Sequence, residues 1–330
     1  MSLRVHYVEL LEELRRVLLK LGFEPGRAED AARLFAEASR DGVHSHGLNR
    51  FPLFVEMVRA GVVDPAARPR LLEARGALER WDGMRGPGNL NARDCMARAL
   101  ELAREQGLGC VALANTNHWM RGGNYGWQAA EAGFIGVCWT NTLPNLPPWG
   151  ASEPRLGNNP LVVAVPRPGS GHVVLDMAMS QFSYGALASY RLGGRELPVA
   201  GGFDAEGRLT RDPSAVEASK RPLPIGYWKG SGLSLVLDLT AALLSGGRAT
   251  HQIGPEPERE TGLSQVFVAV APTGGAAFAE RVADEIVEHF KGPEGEGVRY
   301  PGERSRAERR ESMERGVVVE PSVWERVRAM

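Results

Sequence analysis

Lysine is scarce in this chain: only four of its 39 basic residues, Lys20, Lys220, Lys229 and Lys291, are lysines, and arginine supplies the rest. Cysteine is scarcer still. Cys95, Cys110 and Cys138 are an odd number at spacings that fit neither a zinc site nor a disulfide scaffold, so a reducing cytoplasm is the expected location. Long apolar runs are missing: none approaches the roughly 18 residues of a membrane span, and residues 1–23 mix charges throughout instead of carrying the apolar core of an export signal. Neither charge sign dominates. With 39 basic and 40 acidic residues the formal net charge is -1, which supplies no global field for nucleic acid or an anionic membrane. The common signatures of cofactor and hydrolase sites are also absent. No GxGxxG follows a strand-like run, the nearest strings being 86–91 and 230–235, and there is no P-loop, GxSxG elbow or HExxH. No metal site is expected, because the histidines outside residues 44–46 stand in unrelated contexts without a carboxylate at ligand spacing.

What is present is a chain of 330 residues, 43% hydrophobic, long enough to bury a sizeable core. Its 40 glycines and 22 prolines follow no period, which describes a loop-rich folded body. Leu10, Leu14, Val17 and Leu18 form one helical stripe, Ala28, Ala31, Ala32 and Phe35 a second, and Phe51, Phe54, Val55 and Val58 a third. After a proline-rich stretch at 63–69 the pattern alternates. Ala92 to Ala103 reads as a helix face, Cys110 to Ala114 as a strand, Asn124 to Ala132 as a helix, and Phe134 to Thr140 as a strand. Leu161 to Val165 and Val173 to Leu175 are further short apolar runs; a helix at 231–245 precedes a strand at 265–271, and a charged helix at 304–316 precedes the tail. This predicts a helical domain, residues 1–68, joined by the C-terminal helices 303–330, and an α/β domain, 69–302, with a sheet covered by helices.

Four polar segments are candidate sites. His44 and His46 share the glycine-bracketed link between the second and third stripes; spacing alone does not choose between them, and a structural role is open for both. His118 lies in the polar stretch 115–126 just after a strand, where α/β proteins open their ligand crevices, and Trp119, Tyr125 and Trp127 are too apolar for a purely solvated loop. The proline-rich loop 141–159 can turn its amides to the same crevice. Residues 224–232 set Lys229 beside an aromatic pair and a glycine run at a helix start, whose free amides favour phosphate.

Taken together, GVHSHGLNR (42–50), NHWMRGGNYGWQAA (117–130), PPWGASEPRLGNNP (147–160), DMAMSQFSYG (176–185) and PIGYWKGSG (224–232) resemble the type-2 malate/L-lactate dehydrogenase family. The similarity runs nearly end to end, through Gly201 to Asp204 and Ser322 to Trp324. The resemblance implies a homodimeric, non-Rossmann NAD(P)-dependent oxidoreductase acting on a 2-oxo acid, a sugar acid foremost, with NADH as reductant and NADPH as the alternative. It also implies that His46, the histidine of Ser-His-Gly, is the proton donor, and that no histidine is required at position 44. Cofactor contacts carry over to His172, Val173, Val174, Leu175, Asp176, Met177 and Ala178, to Trp228 with Lys229, and to Gly302, Glu303 and Arg304. Two departures stand out: one branch of the family has a histidine where this chain has Glu303, and Asn158 replaces the threonine of the usual Gly-Thr-Asn-Pro.

Physical chemistry adds roles around this donor. A 2-oxo acid carries a carboxylate, so Arg50, four residues beyond His46, is the candidate clamp, with a surface ion pair as its alternative role; Ser45 and His118 are candidates for holding the remaining oxygens. The rival expectations are another 2-oxo or 2-imino acid (malate, lactate, ureidoglycolate or a cyclic imino acid) and a non-catalytic ligand-binding protein of the same fold. An intact His46, Lys229 and a full set of loops weigh against the last.

Overall fold

The apolar stripes near the N-terminus become the inner faces of three helices in the computed structural model, which describes residues 3–293, 295 and 297–330. Helix α1 (Tyr7–Lys20) buries Leu10, Leu14, Val17 and Leu18, and α2 (Pro25–Arg40), capped by Glu24, buries Ala28, Ala31, Ala32 and Phe35. Helix α3 (Phe51–Arg59) buries Phe51, Phe54, Val55 and Val58, with Phe51 edge-on to Phe35 at 5.2 Å between ring centroids. The C-terminal segment completes this core. Strand β11 (Val317–Val319) pairs antiparallel with β1 (Leu3–Val5), and α11 (Pro321–Arg328) contributes Trp324 and Val327.

The second core belongs to a seven-stranded mixed sheet. Its strands are β2 (Arg70–Arg75), β3 (Leu78–Asp82), β4 (Leu108–Asn117), β5 (Ile135–Thr140), β6 (Leu161–Val165), β7 (Val173–Met177) and β10 (Thr261–Val270), in the order β2-β3-β4-β10-β5-β6-β7. Only β3 and β4 run parallel, joined by α4 (Gly88–Gln106); every other pair is antiparallel. Such a sheet has no doubly wound switch point, which accounts physically for the absence of a Rossmann fingerprint. Alternate residues of the central strands face opposite ways. Val111, Leu113, Phe267 and Ala269 meet α4 and α5 (Gly123–Glu131), whereas Ala112 and Val266 meet Ala241 of α8 (Trp228–Ser245).

Between β7 and α8 lies a small excursion: α6 (Tyr184–Leu192), β8 (Gly202–Phe203), β9 (Leu209–Thr210) and α7 (Pro213–Ser219), anchored on Leu187, Leu197 and Val216. Helices α9 (Gly275–Lys291) and α10 (Glu303–Arg315) follow β10. Among the described residues no helix is long and apolar enough to cross a membrane.

Candidate active site

Helix α2 ends beside a buried carboxylate. Asp41 accepts hydrogen bonds from Arg40 at 2.7 Å, Arg121 at 2.7 Å and Arg309 at 2.8 and 3.0 Å. Burial pushes its carboxyl up, but the three guanidiniums outweigh that and hold it at about 2. From this anchor two 3-10 turns, His44–His46 and Leu48–Arg50, carry the chain to α3. Gly47 lies so close to α2 that a Cβ there would sit 2.2 Å from Ser39 Oγ and 2.7 Å from the Ser39 nitrogen. The Leu48 N–H also donates to Ser39 Oγ at 2.8 Å, so the turn is clamped to the helix and the direction of His46 is set.

His46 shares a 3.0 Å hydrogen bond between Nδ1 and Ser45 Oγ. His118 stands beyond the end of β4, its ring nearly parallel to that of His46, with centroids 5.7 Å apart and planes at 13°. The backbone of His118 packs on Gly88 of α4, where a Cβ would meet the carbonyl oxygens of Asn117 at 2.1 Å and His118 at 2.4 Å. The Met120 N–H donates to His118 Nδ1 at 3.0 Å, which leaves the proton of a neutral ring on Nε2 and makes that nitrogen a donor. Both imidazoles are held neutral. Burial, then Arg50 and Arg121, lowers His46 to about 4; burial, then Arg50 and His46, holds His118 well below the ordinary imidazole range.

Two adjoining cavities meet at this pair, one of about 530 Å3 and one of about 810 Å3. Ser45, His46, His118, Thr142, Asn158 and Ser183 line both, so they form the wall where the two spaces join. The smaller cavity runs between β7 and the start of α10, along Val174, Leu175, Asp176, Ala178, Gly302 and Arg304. A hydrogen bond from the Val174 N–H to the Pro301 carbonyl, 2.9 Å, ties those two segments together. Asp176 accepts the Gly123 N–H at 2.8 Å, and burial raises its carboxyl against the influence of Arg121. The larger cavity is lined by Arg50, Asn145, Tyr184, Arg191, Lys220 and Glu260.

The remaining candidate residues stand elsewhere. His172 accepts the Arg167 N–H on Nδ1 at 2.9 Å and lies edge-on to Trp127, while Val173 and Met177 do not line either cavity. Glu303 is paired with Lys291 and accepts the Tyr300 N–H. Trp228 and Lys229 open α8 outside both cavities, next to Tyr227, whose φ of 59° is a left-handed conformation rare for a non-glycine residue. The loop 141–159 does reach the crevice: Asn158 Oδ1 accepts from Thr142 Oγ1 at 3.0 Å, and the Asn158 N–H donates to Asn145 Oδ1 at 2.8 Å. Glu260 has no motif of its own in the sequence, and only the fold brings it here.

The smaller cavity fits a nicotinamide dinucleotide. Arg299 and Arg304 are cations available to phosphate, Val174 and Leu175 are apolar, and Arg121 Nε and Trp127 Nε1 are buried donors with no acceptor among the described residues. No group of three or more metal-ligating side chains occurs among the described residues.

Known proteins resemble this chain over almost its whole length. The profile of the malate/L-lactate dehydrogenase family matches residues 5–328. A 2,3-diketo-L-gulonate reductase of Citrobacter koseri is 46% identical over 99% of this chain and 100% of its own. The solved structure of Δ1-piperideine-2-carboxylate reductase from Pseudomonas syringae is 30% identical over 99% of both chains, with a TM-score of 0.88. Malate dehydrogenase from Entamoeba histolytica, 23% identical over 100% of this chain and 97% of its own, shares the fold at a TM-score of 0.92. With a family match over almost its whole length and two cavities that meet at the histidine of its Ser-His-Gly, this chain belongs to the malate/L-lactate dehydrogenase family and is an oxidoreductase of the kind that uses a nicotinamide cofactor.

Proposed function

We propose that this protein reduces 2,3-diketo-L-gulonate to 3-dehydro-L-gulonate with NADH, as a cytoplasmic homodimer in sugar-acid catabolism. The observation that carries this reading is the position of His46 in the wall shared by the two cavities, with Arg50 on the larger side. The names of the full-length relatives supply the substrate. In this reading Val174, Leu175, Asp176, Ala178, Gly302 and Arg304, which line the smaller cavity, contact the cofactor, whereas His172, Val173, Met177, Trp228, Lys229 and Glu303 stand outside that cavity. When bound, the cofactor supplies hydride to the C2 carbonyl carbon.

The chain's own residues do the rest. Arg50 binds the substrate carboxylate through its guanidinium fork. His46, as imidazolium, gives its proton to the oxygen at C2 while Ser45 Oγ accepts from Nδ1 and fixes the ring. His118 donates from Nε2 to a neighbouring substrate oxygen. Burial and the nearby Arg50 favour neutral His46. A carboxylate on Arg50 offsets that charge, so substrate binding favours the protonated donor.

The proposal also divides the chain into a helical unit, 1–68 with 303–330, that carries His46, and an α/β unit, 69–302. Limited proteolysis is expected to cut first within residues 60–69, and first cuts inside α4 or β4 would overturn this division. The activity itself is tested by following nicotinamide absorbance with NADH and NADPH against a panel: 2,3-diketo-L-gulonate, pyruvate, oxaloacetate and a cyclic imino acid. Fastest NADH oxidation with diketogulonate is expected. Faster turnover of another member of the panel replaces the substrate, and no oxidation with any of them replaces the enzyme by a ligand-binding protein.

A further inference from the structure

Glu260 follows a short 3-10 turn (Pro257–Arg259) that packs near α3, and it leads into β10. Its side chain is buried at the wall of the larger cavity, and its two oxygens have different partners. Oε1 accepts the Leu143 N–H at 3.1 Å, whereas Oε2 lies 3.6 Å from Arg50 Nη2, the one cation at ion-pair distance among the described residues. The buried Leu143 N–H needs an acceptor here, but not a charged one. Burial pushes it toward the neutral form, and only Arg50 and then the Leu143 N–H oppose that.

Arg50 is placed against the local electrostatics as well. It caps the N-terminus of α3, the end at which a helix dipole disfavours a cation. At 3.6 Å its contact with Glu260 is an ion pair beyond hydrogen-bond reach, and its side chain donates no hydrogen bond among the described residues. A five-donor fork left open at a cavity wall matches a planar carboxylate. Four rotatable bonds would let such a side chain swing away, and Glu260 is its one ion-pair partner among the described residues.

We propose that Glu260 is a positioning residue: by holding the Arg50 guanidinium at the cavity wall, it fixes the carboxylate of a 2-oxo acid so that the adjacent carbonyl lies at His46. This inference rests on the reading of Arg50 as the carboxylate clamp. It assigns to a residue outside every recognised motif the discrimination between 2-oxo acids and neutral ketones.

Initial-rate kinetics with NADH and 2,3-diketo-L-gulonate, or with pyruvate or oxaloacetate if one of them is turned over faster, test it. Glu260→Gln keeps the shape and the Leu143 contact but removes the charge. Its KM for the oxo acid is expected to rise about tenfold or more, the size of a lost charge-assisted contact, with a much smaller change in kcat and unchanged NADH binding by tryptophan fluorescence. Glu260→Asp is expected to recover part of the loss. Arg50→Met should raise KM at least as far, and adding Glu260→Gln to Arg50→Met should do nothing more, because the second residue acts only through the first. An equal KM increase from Glu260→Gln in both backgrounds overturns the proposal, as does an unchanged KM, or a lowered one, which would make Glu260 a competitor of the substrate for Arg50. An unchanged KM in Arg50→Met refutes the clamp itself, whereas a raised one there with a native KM in Glu260→Gln refutes only the role of Glu260. Should Glu260→Gln alone fail to fold, Glu260→Asp is read in its place: its shorter carboxylate is drawn back from Arg50, so a KM above the native one is expected, and a native KM overturns the proposal.

Discussion

His44 and His46 lie on one short turn and have different surroundings. His46 lines both cavities and bonds to Ser45, whereas His44 lines neither and has Glu308 and Arg304 of α10 as its charged neighbours. Replacing His46 by Gln is therefore expected to lower kcat by about a hundred- to ten-thousandfold while NADH binding persists, and replacing His44 by Gln to leave kcat near the native value. Equal losses in the two variants would refute the assignment. The pH dependence of stability follows from the same residue. Its folded-state value of about 4 lies below the ordinary 6.5, so between these the unfolded chain binds a proton that the folded chain does not. The stability this contributes is fully present above 6.5 and is lost as the pH falls toward 4. The melting temperature of the native protein should thus fall more between about pH 7 and about pH 5 than that of His46→Gln, and parallel losses would rule out a neutral buried His46.

At the scale of elements, legibility followed burial. The stripes of α1, α2 and α3 and the apolar runs of β5 and β6 were readable because each presents a continuous face to a core, and spacing encodes a face directly. The hairpin β2–β3 carries no legible period because nearly all of it is exposed or half-buried, and α6 and α7 carry none because their shared core is only three residues. Strand β10 begins at Thr261, earlier than its apolar pattern, with register shifts on either side of Leu263. Within the site, the His46 turn and the 115–126 segment stood out as polar residues among glycines, but the need for Gly47 is a matter of approach to α2 and not of turn conformation. Gly47→Ala is expected to destabilise the protein by about 1–3 kcal/mol through that overlap and to lower kcat by moving His46, as read from denaturant unfolding and initial rates. Unchanged stability would mean that α2 and the turn can separate without loss.

At the scale of the whole molecule, α8 leaves apolar side chains uncovered on its outer side. Leu237 and Ala241 face inward, while Val236, Leu239 and Leu243 are 51%, 49% and 79% exposed on the outer side. Such an exposed apolar stripe supports the proposed homodimer; Trp228 and Lys229 lie at the N-terminal end of the same helix. Replacing Val236 and Leu243 together by Glu should give a monomer in sedimentation or light scattering, and a dimer retained by that variant would place the interface elsewhere.

The amino-acid sequence by itself determined the inner faces of the principal helices and strands, the absence of a Rossmann site and the resemblance that selects His46, because each is written in the spacing and identity of neighbouring residues. Its scarcity of lysine pointed to Lys229, which the fold sets on the surface at the start of α8, outside both cavities. Only the tertiary structure decided that the turn after α2, the end of β4, the edge strand β7 and the start of α10 surround one cleft, that α8 turns leucines outward, and that Glu260 faces Arg50. Those relations depend on how separate segments pack against two cores, and packing between distant segments leaves no local period to read.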